Sequence, residues 1–171
     1  QKDKRGIASL RRYLPTDYAS QTAKYLVQNL GPTVITTGFY ILYGGTVETD
    51  GPLGAKAIGN ALETLGQKVI YLTDHYCKPI MDALASPTEQ TIEFPLTDAD
   101  KSTQFAREFL RDIRPSLLIS IERCSPSSDG IYRNMLSKDV SGFTAKIDKI
   151  FDIFPHSIGI GDGGNEIGMG K

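Results

Sequence analysis

Residues 34–73, VITTGFYILYGGTVETDGPLGAKAIGNALETLGQKVIYLT, decide the fold of this chain. Val34-Ile35-Thr36-Thr37 is short and β-branched, as a buried strand is, and it runs into the loop Gly38 to Gly51. Leu53, Ala57, Ile58, Ala61, Leu62 and Leu65 then recur at helical spacing, opened by Asp50-Gly51-Pro52 and closed by Gly66. Proline fits a first helical position because its missing N–H would be unpaired there anyway, and glycine just past the end accepts the left-handed turn that stops a helix. Lys68 to Thr73 reads as the second strand. A strand, a helix and a strand joined by such short connections are expected to pair their strands in parallel through the crossover.

The pattern continues on both sides. Asp17 to Leu30 is an amphipathic helix carrying Ala19, Ala23, Leu26, Val27 and Leu30, with Pro15-Thr16 before it and Gly31-Pro32 after it. Further helices are expected at Lys78 to Ala85, Ser102 to Ile113 (ended by Pro115) and Phe143 to Phe154, and further strands at Gln90 to Phe94, Ser116 to Ile121 and Ser157 to Gly161. This alternation predicts an α/β fold: doubly wound, with a mainly parallel sheet and helices on both faces. No repeat or linker divides residues 1–171, so a single α/β domain is expected. The sequence stops at Lys171 in what reads as the start of another helix, with Asn165 and Glu166 on its first turn, and a fragment incomplete at its C-terminus is expected.

Composition narrows the function. Lys+Arg 19 against Asp+Glu 20 gives a formal charge of −1, without the basic excess that nucleic-acid binding through phosphates requires. No apolar run reaches the roughly 20 residues of a membrane span. The charged Gln1-Lys2-Asp3-Lys4-Arg5 start has no apolar segment after it. The 2 cysteines, Cys77 and Cys124, are too few for a disulfide framework and read as reduced thiols of an intracellular protein. The 17 glycines cluster, and the clusters mark where the chemistry is expected.

In open α/β sheets ligands bind beyond the carboxyl ends of the strands. Three loops there carry charge. The first ends in Glu48-Thr49-Asp50-Gly51-Pro52, where Asp50 is either an N-cap or a ligand-directed carboxylate before a helix N-terminus. The second starts with Glu122-Arg123 and continues through Asp129, Tyr132, Arg133 and Asn134; a charged pair at a strand end either meets a ligand or forms a structural ion pair. Cys124 beside it, with no base near in sequence, reads as a buried spectator thiol. The third, Gly159-Ile160-Gly161-Asp162-Gly163-Gly164-Asn165-Glu166-Ile167-Gly168-Met169-Gly170-Lys171, combines close-approach glycines with three oxygen-bearing side chains suited to a hard cation or to proton transfer. It matches neither a dinucleotide fingerprint nor a P-loop.

Glu48 to Ala55, Ile121-Glu122-Arg123 with Ser128 to Met135, and Gly159 to Lys171 together resemble the signature blocks of the D-glutamate cyclase C-terminal-domain family, over roughly residues 10 to 171. The resemblance implies a carbon–oxygen lyase converting D-glutamate to 5-oxo-D-proline and water, in the mitochondrial matrix of a eukaryote and otherwise in the cytoplasm. It implies a dicarboxylic amino-acid substrate, no nucleic-acid or membrane partner, and is compatible with a homo-oligomer. Cyclisation needs proton transfer and polarisation of the γ-carboxyl. Asp162, Glu166 and Glu122 are therefore the expected catalytic residues. Arg123 (with Arg133), Asn134, Gly51, Gly163, Gly164 and Asn165 are the expected substrate contacts. Six acids on one rim would repel one another unless protonated or bridged. A divalent Mg or Mn on Asp50, Glu48 and Asp162 is therefore expected, with no organic cofactor.

Two other classes compete. Gly161-Asp162-Gly163 with Asn165-Glu166 also resembles the acidic loop of haloacid-dehalogenase-type phosphohydrolases. Their nucleophilic Asp is missing, since the first strand ends Thr36-Thr37-Gly38-Phe39 and Asp74 is followed by His75-Tyr76. The third reading is a non-catalytic domain whose acidic rim holds a metal or a small anion.

Overall fold

A strand apolar on both faces needs a cover on both, and the strand-and-helix alternation supplies it. In the computed structural model, which describes residues 7–169, a 3-10 helix (Ile7–Tyr13) leads into α1 (Tyr18–Gln28), and β1 (Thr33–Thr37) follows. A small hairpin, β2 (Tyr40–Ile41) and β3 (Thr46–Val47), fills the loop before α2 (Asp50–Thr64). Then come β4 (Val69–Thr73), α3 (Lys78–Leu84), β5 (Gln90–Glu93), α4 (Ala99–Ile113), β6 (Leu117–Ile121), α5 (Asp148–Ile153) and β7 (Ser157–Ile160). The main sheet runs β5-β4-β1-β6-β7, and each of its neighbouring pairs is parallel. The fold is the expected doubly wound α/β.

Alternate residues of the central strands divide between the faces. Ile35, Val69, Tyr71, Leu117, Ile119 and Ile121 pack with Ala55, Leu62 and Met81 of α2 and α3, and Tyr25 and Leu26 of α1 lean on the same cluster. Val34, Ile70, Leu72 and Leu118 pack on the other face with Ala106, Phe109, Ile147 and Ile150 around α4 and α5.

Several expectations shift. The buried side of α2 is Gly51, Pro52, Ala55, Gly59 and Leu62, whereas Leu53 is 58% exposed and Leu65 55%. Small residues face the sheet because the helix lies close to it: a Cβ on Gly59 would stand 2.1 Å from the Tyr71 hydroxyl. α4 starts earlier than its apolar stripe, capped by Asp98, whose side chain accepts from Lys101 N at 2.9 Å. The expected helix from Phe143 is a 3-10 turn (Ser141–Phe143), an extended link and the short α5. No helix begins at Asn165-Glu166, where the described chain forms a tight turn; Gly170 and Lys171 of that block lie outside the described residues. Among the described residues no helix is long and apolar enough to cross a membrane.

β1 lies between β4 and β6, and the connections leave it in opposite directions, so the switch point of the sheet is the crevice at the carboxyl ends of β1 and β6. That is where a doubly wound sheet offers a ligand its natural pocket.

Candidate active site

The three charged loops meet in that crevice. Phe39, Ile41, Leu42, Tyr43, Glu48 and Asp50 from the first, Glu122 and the turn Asn134-Met135-Leu136 with Lys138 from the second, and Asp162, Gly163, Asn165 and Glu166 from the third line one cavity of about 350 Å³. That size lies within the range of small-molecule sites.

Glu122 is the first residue past β6. It takes a left-handed backbone, φ 45°, and its N–H still donates to Ile160 O at 3.0 Å. A non-glycine residue held there stores strain of about 1–3 kcal/mol, a common mark of functional positions. Gly51 makes room for it, because a Cβ on Gly51 would lie 2.5 Å from Thr37 Oγ1 and 3.0 Å from Glu122 Cβ. Gly51 thus acts through close packing beneath the site. The Glu122 carboxyl is pushed up to about 8, chiefly by burial and then by the negative charges of Glu166, Asp162, Glu48 and Asp50. It is a carboxylic acid that keeps its proton at neutral pH.

Arg123 goes the other way. The expected substrate arginine is 0% exposed and does not line the cavity. Its Nη1 donates to Asp74 Oδ2 at 2.6 Å and to Gly38 O at 2.8 Å, and Nη2 donates to Ala145 O at 2.8 Å. One guanidinium therefore ties together the segments that follow β1, β4 and the second loop. The structural ion pair, the alternative open from the sequence, is what forms. Arg133 is also spoken for, in a bidentate pair with Asp129 at 2.8 and 2.7 Å that holds the Asp129 carboxyl down at about 2.

The third loop folds around its own glutamate. Glu166, 3% exposed, accepts from Gly163 N at 2.7 Å, Gly164 N at 2.7 Å and Asn165 N at 3.0 Å. Those N–H groups close on the carboxylate, which is why no helix starts there. Cβ atoms on Gly161 or Gly163 would come within 2.6–2.9 Å of the Glu166 side chain, and Gly164 takes φ +83°. Cys124 and Glu166 form an antiparallel bridge, and Asn165 Nδ2 donates to Arg133 O at 2.7 Å, fastening this loop to the second. Gly163 and Asn165 therefore shape the wall, and Gly164 supplies the turn between them. Asn134 does the same in its own turn, where its Oδ1 accepts from Leu136 N at 2.9 Å and Lys138 N at 3.0 Å. The Cys124 thiol is buried and pushed up to about 12, which leaves it inert as a nucleophile.

Oxygen atoms of Glu122, Asp162 and Glu166 all lie within 4.8 Å of one another. The expected cation set of Glu48, Asp50 and Asp162 is not the grouping that forms among the described residues. Asp50 belongs to the first turn of α2, after Thr49 as N-cap, and its Oδ1 accepts from the adjacent Gly51 N at 2.9 Å. Glu48 lines the cavity from the hairpin, where its N–H donates to Phe39 O at 2.9 Å.

Three features of the site went unread in the sequence. The hairpin could have been found from Gly44-Gly45 between alternating residues. Asp74 as the partner of Arg123, and Lys138 as a cavity residue, had no local signal.

Comparison with known proteins agrees with this layout. The family described as D-glutamate cyclase-like, C-terminal matches residues 1–171. Human mitochondrial D-glutamate cyclase is 33% identical over 156 residues, which cover 81% of this chain and 25% of that protein. The chain thus spans about a quarter of the length of the curated relative it matches. The carboxylate-lined crevice at the switch point is built from the residues of all three signature blocks, and with the match running from end to end the chain belongs to the D-glutamate cyclase-like, C-terminal family.

Proposed function

We propose that this chain is a catalytic domain of a D-glutamate cyclase-like carbon–oxygen lyase, closing D-glutamate to 5-oxo-D-proline with release of water, in the mitochondrial matrix where the host is eukaryotic. The observation that carries the reading is Glu122, a carboxyl pushed up to about 8 inside a cavity lined by four further carboxylates. In the reaction the α-amine attacks the γ-carboxyl carbon, a C–N bond forms, and a γ-oxygen leaves as water. The departing oxygen needs a proton and the nitrogen must lose protons. A group with its pKa near the working pH serves both transfers. The acidic lining also attracts the substrate's ammonium, while Phe39, Ile41, Leu42, Met135 and Leu136 make part of the wall apolar.

A second reading adds a cation. The oxygens of Glu122, Asp162 and Glu166 within 4.8 Å suit a hard divalent ion such as Mg or Mn, which would polarise the γ-carboxyl when bound. No organic cofactor enters either reading.

Thermal shift of the purified chain discriminates between the classes, because a ligand that binds the native state raises its stability. The proposal expects stabilisation by D-glutamate or 5-oxo-D-proline exceeding that by L-glutamate. Stabilisation by phosphate esters would favour a phosphohydrolase, and stabilisation by metal alone a non-catalytic sensor.

A further inference from the structure

D-Glutamate brings two carboxylates into a cavity already lined by Glu48, Asp50, Glu122, Asp162 and Glu166. The γ-carboxyl must lose its charge to be attacked. The α-carboxylate keeps its charge through the reaction and needs a cation. The two arginines nearest in sequence are committed, Arg123 to the buried Asp74 and Arg133 to Asp129. Among the described residues the basic side chain that lines the cavity belongs to Lys138.

The chain holds that lysine in place through its backbone. Arg133 and Asp139 pair as an antiparallel bridge, Asn134 N donates to Lys138 O at 3.0 Å, and Lys138 N donates to Asn134 Oδ1 at 3.0 Å. Ser137 takes the left-handed φ of 57° that such a tight return requires. Both backbone polar groups of Lys138 are thus tied while its side chain is exposed at the cavity wall. The same turn carries Met135 and Leu136, and Leu42 and Tyr43 of the hairpin line the cavity as well. These side chains are themselves open to solvent, Leu136 at 73% and Met135 at 61% exposure, so the Lys138 ammonium meets a carboxylate at the mouth of the cavity as a partly screened charge.

We infer that Lys138 is the anchor for the α-carboxylate of the substrate, so that the site selects amino acids that keep a free α-carboxylate. This rests on the proposed reaction. Anchored there, the substrate presents its amine and γ-carboxyl to the acidic floor around Glu122.

The test measures binding of 5-oxo-D-proline, which retains the carboxylate, and of 2-pyrrolidinone, the same ring without it, to the wild-type chain, Lys138→Gln and Lys138→Arg by calorimetry. Because the side chain is exposed and the turn is held by backbone groups, both variants keep the fold. The expected result is binding of 5-oxo-D-proline weakened about tenfold in Lys138→Gln, restored in large part in Lys138→Arg, and 2-pyrrolidinone indifferent to both changes. In turnover, Lys138→Gln lowers kcat/KM for D-glutamate about tenfold, and Lys138→Arg restores it in large part. Equal affinity of wild type and Lys138→Gln for 5-oxo-D-proline, or no binding to the wild type, overturns the anchor. Binding that depends on Lys138 in a chain that does not turn over D-glutamate would keep the anchor and reject the reaction.

Discussion

Replacing Glu122 by Gln should make the protein more stable and less active at once. The Glu122 carboxyl is pushed up to about 8 from an ordinary 4.5, so the folded state holds a proton that the unfolded state has released through that window. Stability therefore falls as pH rises from about 4.5 to about 8 and levels off above, where the folded protein carries the full cost of the buried charge. Each pKa unit is worth about 1.36 kcal/mol. The whole shift caps the penalty at about 5 kcal/mol, and the side chain's partial exposure reduces it to about 1–3 kcal/mol. Gln keeps the shape and never ionises. Urea unfolding of both proteins at pH 5, 7 and 9 should show the variant near parity at pH 5 and more stable by about 1–3 kcal/mol at pH 9. A variant no more stable at pH 9 than at pH 5, relative to wild type, refutes the claim that the cavity holds this carboxyl against its own charge.

Arg123→Ala should destabilise the fold by about 3–5 kcal/mol, because it leaves Asp74 buried and unpaired; urea unfolding reads it, and an intact fold with only weakened substrate binding would revive a ligand role for Arg123. Glu166→Ala should lose about 1–3 kcal/mol by stranding the three N–H groups of the third loop, seen as a lowered urea midpoint and faster amide exchange at Gly163, Gly164 and Asn165. Asp162→Asn, at an exposed position, should fold with a midpoint within about 0.5 kcal/mol of wild type and lose turnover; wild-type turnover would make Asp162 a bystander. Gly51→Ala should cost about 1–3 kcal/mol through overpacking against Thr37 and Glu122, and an unchanged midpoint would show that the floor of the cleft yields.

The layout of the fold was open in the sequence because it rests on local periodicity: Val34 to Thr37, the α2 stripe and Lys68 to Thr73 already form the repeating unit, and loops at strand ends are where such sheets bind ligands. The convergence of Glu122, Asp162 and Glu166 followed from that topology. The face of α2 did not, because periodicity favours the large Leu53 and Leu65, whereas the small Gly59 is required by the approach of Tyr71 and the small Gly51 by Thr37 and Glu122, contacts that only the fold creates. Arg123 misled because an arginine beside a glutamate at a strand end reads as exposed, and its partner Asp74 is brought near only by the β1–β4 pairing. Asn165 and Glu166 read as the start of a helix because nothing local shows that the Glu166 carboxylate turns back onto the N–H groups that precede it.

In the proposed reaction a protonated Glu122 runs the ring closure of D-glutamate. The most direct measurement is conversion of D-glutamate to 5-oxo-D-proline, followed by NMR across pH 5 to 9, in wild type and Glu122→Gln with L-glutamate as control. Wild-type turnover is expected to favour D-glutamate, its rate to be lost as pH rises through about 8, and the variant to show no turnover above background. Turnover undiminished in Glu122→Gln, or a wild-type rate that keeps rising through pH 9, would contradict it.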